Sequence, residues 1–278
     1  MAIVTFWNNT EEHCGTTSSA VALATQVAIE HNIKVLLITT SFNDRLIKDS
    51  FWIEKKKSSL GLFTNNKSEL DNSGIEGLDR IIRSNKFTPE IIKDYTQVVL
   101  TGRLEVLLGI QDNRGQYDLL KERYSSIINL AGKYYDLVIV DLDNKVGEQE
   151  IVDILKISDI IISMVSQRVK QIERSMENIK SNSLLKNDNT IITIGRYMEN
   201  TKYNIKNITR SVLKSKDLIN TVPYNKLFFE STQEGRVIDL FLNLTKIKER
   251  DENYFFLQEI KRLYQNIQTK LSLKQTIW

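Results

Sequence analysis

The chain has 278 residues, 41% of them hydrophobic and 26% charged, a composition typical of a folded globular protein rather than a disordered one. Its 38 Lys and Arg against 35 Asp and Glu give a formal net charge of +3, so bulk charge alone predicts neither a nucleic-acid nor a membrane partner. One cysteine and two histidines exclude an intramolecular disulfide and a histidine-based metal cluster, which favours a cytoplasmic protein.

Short β-branched segments alternate with longer segments of helical spacing, which is typical of a parallel sheet with crossover helices. Most strand candidates are continuous apolar runs, as expected of strands that are covered on both faces. The strand candidates are residues 2–6, 34–39, 104–108, 136–141, 159–165, 190–195 and 220–222, and the helix candidates are residues 16–31, 77–84, 116–132, 148–157, 169–180, 202–214, 226–236 and 252–271.

This alternation predicts an α/β fold with a doubly wound, mostly parallel sheet and helices on both faces. No Gly/Ser-rich linker interrupts the sequence, so we expect a single domain over residues 1–278. Residues 50–74 are expected to form a long polar excursion. The apolar spacing of residues 252–271 predicts a last helix that docks on the core.

The loop after the first strand lies where a doubly wound protein holds phosphate, because the N–H groups and dipole of the following helix attract an anion. Compared with the phosphate-loop spacing, Gly15 keeps the second glycine and Thr17 keeps the hydroxyl that binds Mg²⁺. Thr10 replaces the first glycine and Thr16 replaces the lysine. The backbone amides from Gly15 to Ser18 remain candidates for holding phosphate.

Four further regions follow the loop in a recognisable order, over residues 34–44, 135–143, 159–165 and 221–235. Together with the loop, they resemble the ParA/MinD family of dimeric, positioning-type P-loop ATPases with a deviant Walker A motif. The resemblance implies ATP or ADP with Mg²⁺ as cofactor and a homodimer as the working state.

The resemblance also implies particular site residues. Thr17, Asp141 and Asp143 would hold the metal, while Arg196 and Pro223 lie in the segments that flank the base. Structural roles in turns explain Arg196 and Pro223 equally well. An alternative role for Asp141 is that of a strand-end carboxylate that caps a turn.

The loop departs from the family pattern in its charge. The family's signature lysine falls at Glu11, the neighbouring glycines fall at Glu12 and His13, and the acidic residues that end the second strand fall at Thr39 and Ser41. Carboxylates beside a triphosphate oppose its binding, and exclusion of water strengthens that effect. Because loss of one preorganised donor typically costs about 10² to 10³ in turnover, we expect inefficient hydrolysis and nucleotide binding that is weak or lost.

Four cations recur at every fourth residue after the sixth strand candidate. On a helix they would form one stripe that could neutralise phosphates and bind DNA without sequence preference, as in the ParA branch; the alternative is an ordinary solvated face. They are Lys202, Lys206, Arg210 and Lys214. The cationic tail over residues 270–278 bears a weak resemblance to the membrane-surface tail of the MinD branch, and a membrane contact there is disfavoured.

The favoured function is that of a ParA/MinD-like positioning protein with a degenerate nucleotide site, recruited to the nucleoid or a cell pole. The TadZ/CpaE group, which localises the secretion machinery of Tad (Flp) pili, is the nearest analogy. Its members usually carry a receiver-like domain before the phosphate-loop strand, so this assignment is left open.

Two alternatives remain. One is an active ATPase of plasmid or chromosome partition that takes its cation from elsewhere, such as Arg45, Lys48 or a partner subunit. The other is a structural dimer without a ligand. A capsule-type tyrosine kinase is disfavoured, because Tyr254 and Tyr264 near the end of the chain are scattered rather than clustered.

Overall fold

The computed structural model describes residues 1–8, 12–42, 45–53, 74–83, 88–111, 113–185, 189–210 and 219–275. Within these ranges, eight strands form one sheet in the order β3-β4-β2-β5-β1-β6-β7-β8, in which every neighbouring pair is parallel except β3 and β4. The strands are β1 (Ala2–Trp7), β2 (Val35–Thr39), β3 (Gln97–Leu100), β4 (Leu104–Leu107), β5 (Leu137–Leu142), β6 (Ile160–Val165), β7 (Thr190–Tyr197) and β8 (Ile219–Pro223).

The helices pack around this sheet. They are α1 (Thr16–Glu30), α2 (Leu46–Phe51), α3 (Ile75–Arg83), α4 (Arg114–Leu120), α5 (Tyr124–Ala131), α6 (Glu148–Ile157), α7 (Val169–Ser181), α8 (Ile205–Ile208), α9 (Lys226–Gln233), α10 (Val237–Leu244) and α11 (Tyr254–Gln275), and two short 3₁₀ segments cover Pro89–Tyr95 and Lys121–Arg123. None of the described helices is both long and apolar enough to cross a membrane.

The central strand β1 is buried on both faces because its side chains alternate between two apolar cores. Val4 and Phe6 pack in one core with side chains of α1, α10 and α11. Ile3 and Trp7 pack in the other with side chains of α4, α5 and α6. This two-sided burial confirms the doubly wound architecture and explains why the strands are continuous apolar runs.

All seven strand candidates are confirmed to within two residues at either end. The edge strand β3 was missed because its apolar run, Val98 to Leu100, is only three residues long; as expected at a sheet edge, Val98 is 53% exposed. The short helices α2 and α10 were also missed.

Several predicted boundaries differ from the structure. The helix expected over 116–132 is divided into α4 and α5 by a 3₁₀ turn, and α2 extends to Phe51, so the polar excursion begins later than residue 50. Residues 54–73 of that excursion lie outside the described part of the chain. The helix expected over 202–214 begins only at Ile205, because Asn204 caps it by accepting a hydrogen bond from Asn207 N at 3.1 Å.

The last helix docks on the core as predicted. Ile260, Leu263 and Ile267 of α11 are buried at helical spacing in the same core as α1. Residues 276–278, the end of the cationic tail, lie outside the described residues.

Phe241 of α10 gives a direct test of this packing. Its buried ring lies 6.0 Å from the rings of both Phe228 and Phe256, so Phe241→Ala should lower the free energy of unfolding by about 3–5 kcal/mol. Phe229 of α9 is 54% exposed, and Phe229→Ala should change it by no more than about 0.5 kcal/mol. Urea denaturation measures both values, and similar losses in the two variants would contradict the packing.

Candidate functional site

The carboxyl end of β1 lies at a point where the sheet changes direction. Strands β2 to β5 lie on one side of β1, and β6 to β8 lie on the other. Crevices at such switch points are the usual ligand sites of open α/β sheets. The described part of the loop before α1, residues 12–15, lies at this crevice beside the end of β7, which is the edge of the sheet where the sequence predicts a phosphate loop.

Helix α1 begins without a side-chain cap. Gly15 precedes it in the left-handed conformation, with φ of +79°, which an L side chain rarely adopts. No acidic residue lies in the first turn. The first N–H groups of a helix have no partner within the helix, so this N-terminus attracts an anion. The hydroxyl of Ser18 donates to the carbonyl of Gly15 at 3.0 Å and thereby tightens the turn.

Asp141, at the end of β5, joins the loop to the sheet. Asp141 is buried, with only 2% of the residue exposed. One oxygen of its carboxylate accepts hydrogen bonds from the hydroxyls of Thr17 at 2.9 Å and Thr39 at 3.2 Å. The sequence therefore predicted correctly that Thr17 and Asp141 come together, although their role toward a metal stays a prediction. Asp143 caps the turn that follows β5, since its carboxylate accepts a hydrogen bond from the N–H of Lys145 at 3.0 Å.

Two threonines at the end of β2 complete this edge. Thr40 donates from its backbone N–H to the carbonyl of Asp141 at 3.0 Å, and its hydroxyl accepts from the N–H of Asp143 at 2.9 Å. Thr39, where the sequence resemblance implies an acid, instead donates its hydroxyl to Asp141. The signal in the sequence that could have identified Thr39 and Thr40 is that two adjacent hydroxyl residues follow directly at the carboxyl end of a predicted strand.

Glu12 is held by the segment that leads into α7. Its carboxylate accepts hydrogen bonds from the hydroxyl of Ser166 at 2.5 Å, from the guanidinium of Arg168 at 3.0 Å and from the amide of Gln171 at 3.0 Å. The bond from Ser166 is the largest cause of a lowered pKa at Glu12, and Gln171 and Arg168 lower it further. The loop is thus fastened within the chain, by three residues that the sequence did not single out.

The end of β7 presses against the same loop. A Cβ atom on Gly195 would lie 1.9 Å from the carbonyl oxygen of Cys14, so only glycine fits there. The next residue, Arg196, has φ of +49°, and its side chain lies across Gly15. Pro223 ends β8 and pairs with Tyr197 in the sheet register. The structure therefore brings Arg196 to the loop, with Pro223 one strand further out.

A cleft of about 290 Å³ opens between the loop and the end of β7. Its lining includes Cys14, Gly195, Arg196, Met198 and Tyr203. This volume is at the lower end of the range for small-molecule sites. The cleft begins at the loop and extends toward the segment in which the resemblance places the base.

The cationic stripe differs from the prediction. Lys202 precedes α8 instead of lying on it, and its ammonium group lies 5.1 Å from the ring centre of Tyr203. Lys206 and Arg210 are exposed, as expected. Lys214 lies outside the described residues, so a stripe of four on one helix is not what the structure shows.

Three features are together typical of P-loop folds. They are the doubly wound sheet, the glycine that precedes α1, and the hydrogen bond between the threonine at the start of α1 and the aspartate at the end of β5. No protein-family model and no curated protein sequence matches the chain. Solved structures do match it.

A chain of the MinC:MinD cell division complex of Aquifex aeolicus aligns with a TM-score of 0.61 and 16% identity, over 95% of this chain and 96% of that one. MinD of Pyrococcus horikoshii, complexed with Mg-ADP, aligns with a TM-score of 0.61 and 12% identity, over 94% and 95%. A plasmid partition protein of Borrelia burgdorferi bound to AMPPNP aligns with a TM-score of 0.57 and 19% identity, over 99% of both chains. The chain therefore has the fold of the ParA and MinD ATPases.

Glu12 allows a test of the fastened loop. Since its pKa is lowered in the folded protein, its charged form adds stability above the ordinary glutamate pKa, and this contribution is lost as the pH falls through the lowered value. Glu12→Gln should therefore lower the free energy of unfolding at pH 7, and the difference from wild type should shrink on acidification.

The matched control is Glu173→Gln, on an exposed position of α7. Urea denaturation of all three proteins between pH 7 and pH 3 gives the comparison. Equal stability of Glu12→Gln and Glu173→Gln at pH 7 would show that the bonds to Ser166, Arg168 and Gln171 do not fasten the loop.

Proposed function

We propose that this chain is a ParA/MinD-type positioning protein that binds an adenine nucleotide with Mg²⁺ weakly and hydrolyses it inefficiently. The observation that carries the proposal is the hydrogen bond between Thr17 and Asp141 at the start of α1, within the ParA/MinD fold. The hydroxyl and the carboxylate that would hold Mg²⁺ in this proposal lie side by side.

The residues present fit a phosphate with a hard cation. Gly15 lets the loop enter α1 in a conformation that a side chain would hinder, and the first turn has no carboxylate that would repel an anion. Thr17 and Asp141 supply the oxygen ligands that Mg²⁺ prefers, with Asp143 as a further candidate. The backbone amides from residues 15 to 18 would hold phosphate, and Thr17 with Asp141 would hold the metal.

The chain's own contribution to hydrolysis is small. When bound, Mg²⁺ would neutralise charge on the phosphate oxygens. Thr16 stands where the family has a lysine and adds no positive charge to the transferring group. Glu12 adds a carboxylate near the loop, which Arg168 neutralises. The loop can therefore orient a nucleotide, but it carries no lysine of its own to stabilise developing charge.

The solved structures add support from their own descriptions. One is bound to AMPPNP, one is complexed with Mg-ADP and one is an assembly of MinD with MinC. We extend nucleotide binding, a homodimer and recruitment of a partner protein to this chain as parts of the proposal. Localisation of a Tad-type pilus secretion system is the particular task proposed, with recruitment to a cell pole.

Nucleotide titration tests the proposal. Calorimetry with ATP and with ADP should show binding to the wild type that strengthens when Mg²⁺ is added. Thr17→Val keeps the shape of the side chain and removes the hydroxyl, so it should lose the effect of Mg²⁺, whereas Thr17→Ser should retain most of it. Equal Mg²⁺ dependence in the two variants would contradict the role of Thr17.

The alternatives predict other outcomes of the same titration. No response to either nucleotide up to millimolar concentration would overturn the proposal in favour of a structural dimer without a ligand. Rapid ATP turnover that depends on Asp141 would overturn it in favour of an active partition ATPase.

A partition function that includes DNA binding is the second candidate, favoured by the alignment with a plasmid partition protein and by exposed Lys206 and Arg210. If both contact phosphates, replacing both with Gln should weaken binding of random-sequence duplex DNA and reduce the slope of log K against log salt by about 2. Fluorescence anisotropy at several salt concentrations measures this slope. The control replaces Lys246 and Arg250, an exposed pair after α10, and equal effects in the two double variants would exclude a specific DNA surface.

A further inference from the structure

Arg196 has a backbone conformation that brings its side chain onto the phosphate loop. Among the described residues, it is the one non-glycine residue with a positive φ, at +49°. From the position of a Cβ atom on Gly15, its Cγ lies 3.1 Å away and its Nε 3.3 Å away. The aliphatic part of Arg196 therefore lies directly over the glycine that opens α1.

The strand on either side fixes this position. Gly195 brings the backbone against the carbonyl of Cys14. After Arg196, the carbonyl of Tyr197 accepts from the N–H of Tyr224 at 2.8 Å, and the N–H of Met198 donates to the side chain of Gln167 at 2.8 Å. Arg196 is thus held between two residues with fixed contacts, so its backbone keeps a fixed position relative to the loop.

The positive charge of Arg196 is not used within the described part of the chain. The residue is exposed, and its guanidinium makes no hydrogen bond or ion pair with any described residue. Arg168, across the cleft, differs because it is paired with Glu12. Burial raises the pKa of the Cys14 thiol, and the nearby charge of Arg196 opposes that effect. The cleft therefore contains an available cation beside the loop.

We propose that Arg196 binds the phosphate groups of the nucleotide and replaces the loop lysine that is missing at Thr16. This inference rests on the proposed function and deepens it. A guanidinium presents several N–H donors in a plane and forms paired hydrogen bonds to phosphate, so it suits this task from a strand outside the loop. It also assigns Arg196 a phosphate contact, in contrast to the contact with the base that the family resemblance implies.

The two roles differ in which ligands depend on the arginine. A contact with phosphate increases the affinity for ATP and ADP and leaves the affinity for adenosine unchanged. A contact with the base increases the affinity for all three ligands by the same factor. Calorimetry or thermal-shift titration of the full chain with these three ligands in the presence of Mg²⁺ therefore separates the roles.

Arg196→Gly is the sharpest variant, because glycine adopts a positive φ without strain and should leave the folded state at least as stable. It should bind ATP at least about tenfold more weakly than wild type and bind adenosine unchanged. Arg196→Lys keeps the charge and should retain part of the ATP affinity. Arg174→Gln, which removes an exposed arginine of α7, should bind ATP like wild type and serves as the control.

If Arg196→Gly binds ATP as tightly as the wild type does, the role of Arg196 is wrong. The proposed function is not affected by that result, because the wild type still binds ATP. Equal losses for ATP and adenosine would also overturn it and favour a base contact. Absence of ATP binding by the wild type would overturn the proposed function, and this inference with it. Urea denaturation of Arg196→Gly confirms that any loss of binding does not come from unfolding.

Discussion

The buried carboxylate of Asp141 is the constraint on which the site depends. A carboxylate away from water is costly unless it accepts hydrogen bonds, and Thr17 and Thr39 supply two of them. Because these hydroxyls come from α1 and β2, one side chain fixes the start of a helix against two neighbouring strands. These bonds therefore fix the end of the loop, where α1 begins, without the lysines that the loop lacks.

The positive charges around the loop come from residues that lie far from it in the sequence. Glu12 places a negative charge where the family has glycine, and Arg168 neutralises it from the segment before α7. Arg196 places a positive charge over Gly15 from the end of β7. The two cations thus come from outside the loop, Arg168 from the start of α7 and Arg196 from β7, while the loop retains the left-handed glycine and the open helix start. This combination of an open helix start and a loop without lysine is the reason that we propose weak nucleotide binding rather than efficient catalysis.

The sequence was informative where a signal was local. Continuous apolar runs predicted the central strands, and the spacing from Gly15 to Thr17 predicted the start of α1. The edge strand β3 gave only a three-residue run, because an edge strand is short and partly exposed to solvent. The contacts of Glu12 with Ser166 and of Arg196 with Gly15 join residues more than 150 positions apart, and no local pattern encodes them. The fold was therefore predictable almost completely, but the electrostatics of the site were not.

The most direct test of the account is a crystal structure of the chain grown with Mg²⁺ and a non-hydrolysable ATP analogue. The account predicts phosphate density on the backbone amides from Gly15 to Ser18, with the hydroxyl of Thr17 turned from Asp141 toward the metal or shared with it. Density for the nucleotide at another place on the chain, with the Thr17 and Asp141 pair left unchanged and no phosphate at the start of α1, would contradict it.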